Sequence, residues 1–215
     1  MAASELYLIV EIAGADPGEH AARIGAALDA APVASVLFRP ATGRVLDARV
    51  LKPLVEAVQS RGIAALVADD ADLARVVRAD GVHLSWSKDQ PARMAAARET
   101  LGGRFMLGGD AGRSRDDAMT LGEMGADYVA FGIPAHVEDR QSAFARQCDL
   151  ISWWAEIFEP PCVALDVPDA QAAGELAGAN ADFVSLSLSA ATTPDEAAAQ
   201  VKSFSTAIGG AKIPA

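Results

Sequence analysis

The stretch ADGVHL at residues 79–84 sets an alanine and an aspartate directly before a short apolar run, and the same step returns as ADYVAF at 126–131 and ADFVSL at 181–186. Each copy follows a segment of helical periodicity. A short run that is apolar on both faces, entered from a helix end through a tight turn, is the pattern of a strand covered on both sides in a parallel sheet. Aspartate suits such a turn because its side chain bonds nearby backbone groups. The three aspartates therefore read as turn residues where strands begin, not as catalytic acids.

Working outward from these copies, further apolar runs complete a set at residues 6–10, 33–38, 63–67, 81–84, 105–107, 128–131, 162–165 and 183–186. Alanine-rich segments of helical period separate them at 19–30, 47–61, 69–79, 91–101, 115–124, 148–158 and 169–178, with a closing helix over 194–207. Eight βα units predict a (β/α)8 barrel, a TIM barrel, formed as a single domain over residues 1–215; an open doubly wound sheet is the competing arrangement. In a barrel, chemistry gathers at the loops that follow the strands.

Composition agrees with one soluble domain. The chain has 215 residues, 51% of them apolar, and carries no Pro/Gly/Ser linker. No apolar run approaches the roughly 20 residues needed to cross a bilayer, and the start MAASELYLIV lacks the basic region of a secretion signal. A cytoplasmic protein with no membrane partner is expected. The net charge of −11 opposes general attraction to nucleic acid while leaving a local cationic pocket open. Cys148 and Cys162 have no metal-ligand spacing and read as reduced structural residues. In CDLISWWAEIFEPP, Trp154 falls on an apolar helical face, so Trp153 is left to cover a loop or to contact a second copy in a homo-oligomer.

Several stretches resemble a known family: LYLIV near the start, LVADDADLARVVRADGVHL at 66–84, SRDDAMTLGEMGADYVAFG at 114–132, PCVAL at 161–165 and ADFVSLSLSA at 181–190. They are similar, in register over most of the chain, to thiamine-phosphate synthases and the related thiazole tautomerases. The resemblance implies a barrel that joins a pyrimidine methyl pyrophosphate to a thiazole phosphate, using Mg2+ and releasing pyrophosphate.

The strand-end residues depart from that pattern. Where the family has Gln-x-Arg-x-x-Lys, this chain has VLFRPAT, with Leu37 for the Gln and Arg39 retained. Asn-Asp becomes Ala68-Asp69, and Asp69 reads either as a Mg2+ ligand or as a helix N-cap. The loop expected to hold a second metal-binding aspartate reads Ser85-Trp86-Ser87-Lys88-Asp89, which puts the Lys88 ammonium beside the metal position and Asp89 one residue away. Gly-x-Ser-x-His is replaced by a segment with Ala111 and Arg113 at the last two named positions, and Thr-x-Thr-Lys by a loop containing His136 and ending at Arg140. Gly-Gly, which admits the thiazole phosphate, becomes Asp166-Val167, where valine disfavours positive φ and the carboxylate repels phosphate.

These changes predict a divergent family member deficient in the family reaction. Two alternatives stand beside it: a barrel that binds a small molecule without catalysis, and an enzyme with a mouth repurposed for an anionic ligand. Arg39, Lys88, Arg113 and Arg140 follow different strands and favour a small phosphorylated or carboxylate-bearing ligand, unless Asp69, Asp89, Asp110, Asp166 or Glu138 neutralise them. Ser187 and Ser189, alternating with leucines on the last strand beside Ser185, add hydroxyls near the usual barrel phosphate site. His83 reads as a hydrogen-bonded core histidine and His136 as a loop histidine at the mouth.

Overall fold

A computed structural model describes residues 3–134 and 136–211. Strand and helix alternate without interruption: β1 (Glu5–Ile12), α1 (Pro17–Ala30), β2 (Ser35–Pro40), α2 (Ala48–Gln59), β3 (Ala64–Ala68), α3 (Ala71–Val77), β4 (Gly81–Leu84), α4 (Gln90–Leu101), β5 (Met106–Asp110), α5 (Arg115–Glu123), β6 (Tyr128–Phe131), α6 (Arg140–Ile157), β7 (Cys162–Ala164), α7 (Ala170–Gly178), β8 (Phe183–Leu188) and α8 (Pro194–Gly209). All neighbouring strands are parallel, and β8 pairs back onto β1 with Tyr7 opposite Ser185 and Ile9 opposite Ser187. That last pairing closes the barrel and excludes the open sheet.

The repeated Ala-Asp step has one structural job. Asp80, Asp127 and Asp182 each stand just before an even-numbered strand and accept a backbone N–H from the strand that precedes it. Asp80 takes Ala65 N–H of β3 at 2.8 Å, Asp127 takes Leu107 N–H of β5 at 2.7 Å, and Asp182 takes Cys162 N–H of β7 at 2.8 Å. The alanines beside them are buried, which brings each helix end against the barrel. Donors that no strand partner reaches at the barrel's lower edge are thereby satisfied.

Alternation along the strands divides the core in two. On alternate positions of each strand, residues such as Leu8, Val36 and Val67 pack outward against the helices, whereas Tyr7, Ile9, Leu37, Leu66, Tyr128, Val163 and Leu165 fill the barrel. Tyr128 reaches across the interior only because residue 108 is glycine: a β-carbon there would lie 2.0 Å from Tyr128 Cζ. Trp154 is fully buried and donates from Nε1 to Pro160 O at 2.7 Å, while Trp153 is half-buried beneath Arg115, whose guanidinium carbon stands 4.7 Å from the ring centroid.

Two helix starts differ from those expected because of their caps. Helix α6 starts at Arg140 rather than at 148, because Asp139 accepts Ser142 N–H at 3.0 Å. Helix α3 is capped by Asp70, which accepts Leu73 N–H at 2.8 Å. The expected N-cap role of Asp69 is therefore incorrect, and its side chain is free for other contacts.

Candidate active site

The strand ends carry polar groups in register around one mouth. Glu11 on β1 lies directly opposite Arg39 on β2, and Arg39 Nη2 meets Glu11 Oε1 at 2.9 Å. Glu11 Oε2 also accepts Ala190 N–H at 3.3 Å. Below them the buried Arg23 of α1 donates to the carbonyls of Glu11, at 2.6 Å, and Ser189. The ends of β1, β2 and β8 are thus tied together by cations.

Asp69, just after β3, adopts φ 60°. Its Oδ1 accepts Ser85 N–H at 2.8 Å and Arg93 Nη2 at 2.6 Å, and its Oδ2 accepts Ser85 Oγ–H at 2.7 Å. This carboxylate ties β3, β4 and α4 together and already has a guanidinium partner.

His83 on β4 points into the barrel at the level of Gly108 on β5 and Tyr128 on β6. Its Nδ1 is 3.0 Å from Tyr128 Oη, which is in turn 2.9 Å from Tyr7 Oη. The His83 and Tyr128 rings stack with centroids 5.7 Å apart. Burial lowers the imidazole pKa to about 4; Asp69 opposes the shift and Arg93 adds to it. His83 is accordingly neutral at pH 7.

Two carboxylates approach each other one layer above. Asp110, at the end of β5, accepts Gly112 N–H at 2.7 Å and has no cationic partner among the described residues. Burial pushes its pKa up to about 7, with Asp166 and Asp69 adding to the rise and the N–H groups of Gly112 and Trp86 opposing it. Asp166, after β7, accepts Ile133 N–H at 2.9 Å. The residue keeps solvent access, but its carboxyl leans back over Gly132; desolvation raises its pKa, against the pull of Ile133 N–H, Arg39 and Arg140. A β-carbon on Gly132 would lie 2.7 Å from Asp166 Oδ2 and 3.5 Å from Asp110 Oδ2, so both carboxyls converge on that glycine.

Arg39, Asp69, His83, Ser85, Asp110 and Asp166 line one cavity of about 310 Å3, whose floor is Ile9, Leu37, Ala68 and Leu165. A larger hollow of about 590 Å3 lies at the opposite end, beside Glu5, Pro32, Pro161 and Phe183 where strands begin. The smaller cavity is the candidate site, because barrel chemistry resides at the carboxyl ends of the strands and this cavity gathers Arg39, Asp69, His83, Asp110 and Asp166 there.

The thiamine monophosphate synthase family model matches residues 6–190. The chain belongs to that family. A thiamine-phosphate synthase from Rhodospirillum centenum is 36% identical over 209 residues, covering 95% of this chain and 98% of its own. One from Hyphomonas neptunium is 33% identical over 206 residues, covering 94% and 92%. Among solved structures, thiamine phosphate pyrophosphorylase from Pyrococcus furiosus has a TM-score of 0.72 at 19% identity, with 95% of each chain covered. GGGPS from Thermoplasma volcanium gives 0.71 at 14% identity, covering 99% of this chain and 95% of its own. Likenesses at these identities speak for the barrel alone.

Within this thiamine monophosphate synthase family barrel, the expected site residues separate. Arg39, Asp69 and Asp166 meet in the mouth cavity. Lys88 instead lines an outer groove between α4 and α5 with Trp86 and Asp117, and Asp89 is exposed at the start of α4 without a side-chain cap bond. Arg113 is half-buried, with Nε lacking a partner, and its carbonyl accepts two N–H groups from Arg146. Arg140 donates to the carbonyls of Ile133 and Pro134 at 3.2 and 3.1 Å. His136 is exposed. Ser185 and Ser187 stand on the interior side of β8, opposite Tyr7 and Ile9, at different depths: Ser185 is buried with an unpartnered Oγ and Ser187 is exposed, while Ser189, past the strand end, pairs through Oγ with Thr192 Oγ1 at 3.1 Å.

The steric part of the Asp166-Val167 expectation is corrected. Positive φ belongs to Asp166, at 55°, and not to Val167, which packs half-buried against the core. Aspartate tolerates this conformation better than most residues. Sequence reasoning also missed Arg93 as the partner of Asp69, and it took Asp110 only as a counter-ion for the mouth cations, not as a carboxyl lining the cavity. Extending β5 by its alternation through Gly108 to Asp110 would have found the latter.

Proposed function

We propose that this barrel keeps the family's mouth as a small-molecule site but is deficient in joining a pyrimidine pyrophosphate to a thiazole phosphate. The observation that carries the reading is the Asp166 carboxyl, which accepts Ile133 N–H beside the cavity and puts negative charge where an incoming phosphate would need N–H donors. Asp110 adds a second carboxyl with no cation bonded to it among the described residues. The names of the relatives favour a working synthase instead, and that alternative makes a distinct prediction below.

The family implies Mg2+, and the residues present do not fit it. Asp69 already accepts from Arg93 and twice from Ser85, so binding a hard cation means breaking a guanidinium pair. Among the described residues no group of three His, Cys, Asp or Glu side chains is arranged to hold a metal. No step is therefore routed through a metal.

The repurposed site for a phosphorylated or carboxylate-bearing ligand loses support for a related reason. Arg39 is engaged by Glu11, Arg93 by Asp69 and Arg140 by two carbonyls, and Lys88 faces a different groove, which leaves Arg113, with its unpartnered Nε, as the one uncommitted cation of the four expected among the described residues. Incubating the purified protein with both thiamine precursors and Mg2+, with identification of the product, tests the proposal. Little or no thiamine phosphate is expected. Sustained turnover that Asp69→Ala abolishes would establish the synthase alternative.

A further inference from the structure

The mouth cavity holds an unusual balance of charge. Its one cationic lining group, Arg39, is paired with Glu11, and Asp69 is paired with Arg93. Asp110 and Asp166 are left converging on Gly132 with no cation bonded to either carboxyl among the described residues. With Asp110 desolvated and Asp166 on the exposed side of the cavity, ionising both sets two like charges against each other. A monocation between them removes that repulsion.

Three further observations specify the ligand. His83 is 97% buried, lines the same cavity and is bonded through Nδ1, so that Nε2 has no hydrogen-bond partner among the described residues. The floor of Ile9, Leu37 and Leu165 is apolar and suits a flat or aliphatic body. The volume of about 310 Å3 equals roughly ten waters of liquid.

We infer that the mouth binds a small organic cation bearing N–H donors, an amine or amidine on a compact apolar body, with its charged end between Asp110 and Asp166, its body on Leu37 and Leu165, and a further N–H available to His83 Nε2. This rests on the reading of the mouth as a small-molecule site, but not on the absence of synthase turnover. The charged groups facing the pair are Arg39 from β2, Asp69 after β3, Arg93 from α4 and Arg140 from α6. Those cations moderate the acidity of the cavity without occupying its centre, because each is held by another group. Phosphate and pyrophosphate, in contrast, would bring negative charge against both carboxyls.

The test uses benzamidine with two near-isosteres, neutral benzamide and anionic benzoate, and inorganic pyrophosphate as the anionic control. Titration calorimetry on the full chain at pH 8 should give saturable binding of benzamidine, at least tenfold weaker binding of benzamide and none of benzoate or pyrophosphate. Benzamidine should also shift the His83 imidazole signals in an NMR spectrum, which locates it in the mouth. Asp110→Asn and Asp166→Asn, which keep shape and hydrogen-bond acceptors, should each weaken benzamidine binding about tenfold. Should neither variant fold, the ranking of the probes on the unaltered chain decides. Absence of benzamidine binding, benzoate or pyrophosphate binding as tightly as benzamidine, undisturbed His83 signals, or unchanged affinity in both folded variants would each overturn the inference. Synthase turnover with benzamidine bound in the mouth would overturn only the proposed function.

Discussion

Asp127→Ala isolates what one Ala-Asp step contributes to the barrel. The substitution leaves Leu107 N–H without its acceptor at 2.7 Å, on a residue that is fully buried. Stranding a buried donor costs about 1–3 kcal/mol. The same change removes the 3.0 Å pair with Arg98, but both partners are partly exposed and Arg98 retains the carbonyls of Phe105 and Gly125, so this term is worth about 0–1 kcal/mol. The sum is a loss of about 1–4 kcal/mol, equivalent to a fall in Tm of roughly 2–16 °C for a chain of this length. Urea unfolding followed by far-UV circular dichroism measures it, with Asp127→Asn as the comparison because the amide oxygen can still accept from Leu107 N–H. Asn should recover at least half of the loss. A change within about 0.5 kcal/mol of wild type, or an Asn variant as unstable as the Ala variant, would refute the reasoning.

Three other outcomes follow from the interior and the mouth. Gly108→Ala, whose β-carbon would sit 2.0 Å from Tyr128 Cζ, should cost at least about 3 kcal/mol by overpacking and should perturb the His83 ring signals in an NMR spectrum; a neutral effect on both would show that Tyr128 does not cross the interior as described. His83, with its pKa lowered to about 4, binds fewer protons folded than unfolded between about pH 4 and 6.5. Its contribution to stability is therefore lost as pH falls through that window, and its ring should not titrate above pH 5.5 when followed by NMR. Asp110, raised to about 7, has the opposite sign: it holds its proton when folded, so it costs stability as pH rises from about 4 to 7, and Asp110→Asn should be more stable than wild type at pH 8 by roughly 1 kcal/mol or more in the same urea assay.

The fold was legible because its signals are local and repeated. Each strand covered on both faces leaves an apolar run, and the three Ala-Asp steps mark the same return turn, so the eight-unit alternation survives small errors at element ends. The helix caps show the limit of that reading. Asp69 and Asp70 are adjacent candidates for one cap, and only backbone direction decides that Asp70 takes Leu73 N–H while Asp69, at φ 60°, turns toward Ser85 and Arg93. The site was legible in part. Arg39, Asp69 and Asp166 stand at strand ends and meet in the cavity, whereas Lys88, farther along its loop past the end of β4 at Leu84, is carried outward with Trp86. The role of Asp110 depends on two facts that spacing does not encode, its burial and the convergence with Asp166 on Gly132. The chain from Tyr7 through Tyr128 to His83 likewise joins three strands far apart in sequence.

The central claim is that carboxyl groups at the mouth separate this barrel from phosphate chemistry, and Asp166→Gly tests it with one substitution. Glycine adopts φ 55° without strain, removes the carboxylate and frees Ile133 N–H to meet an anion. Val167 needs no change, since its backbone φ is not positive. Losing a repulsive charge and gaining one charge-assisted hydrogen bond is worth about 1.5–3 kcal/mol, or roughly a 10- to 100-fold gain in affinity. Titration calorimetry of inorganic phosphate and of thiazole phosphate into wild type and variant reads it directly. The account predicts binding to Asp166→Gly at least tenfold tighter than to wild type; equal affinity, or tighter binding to wild type, would contradict it.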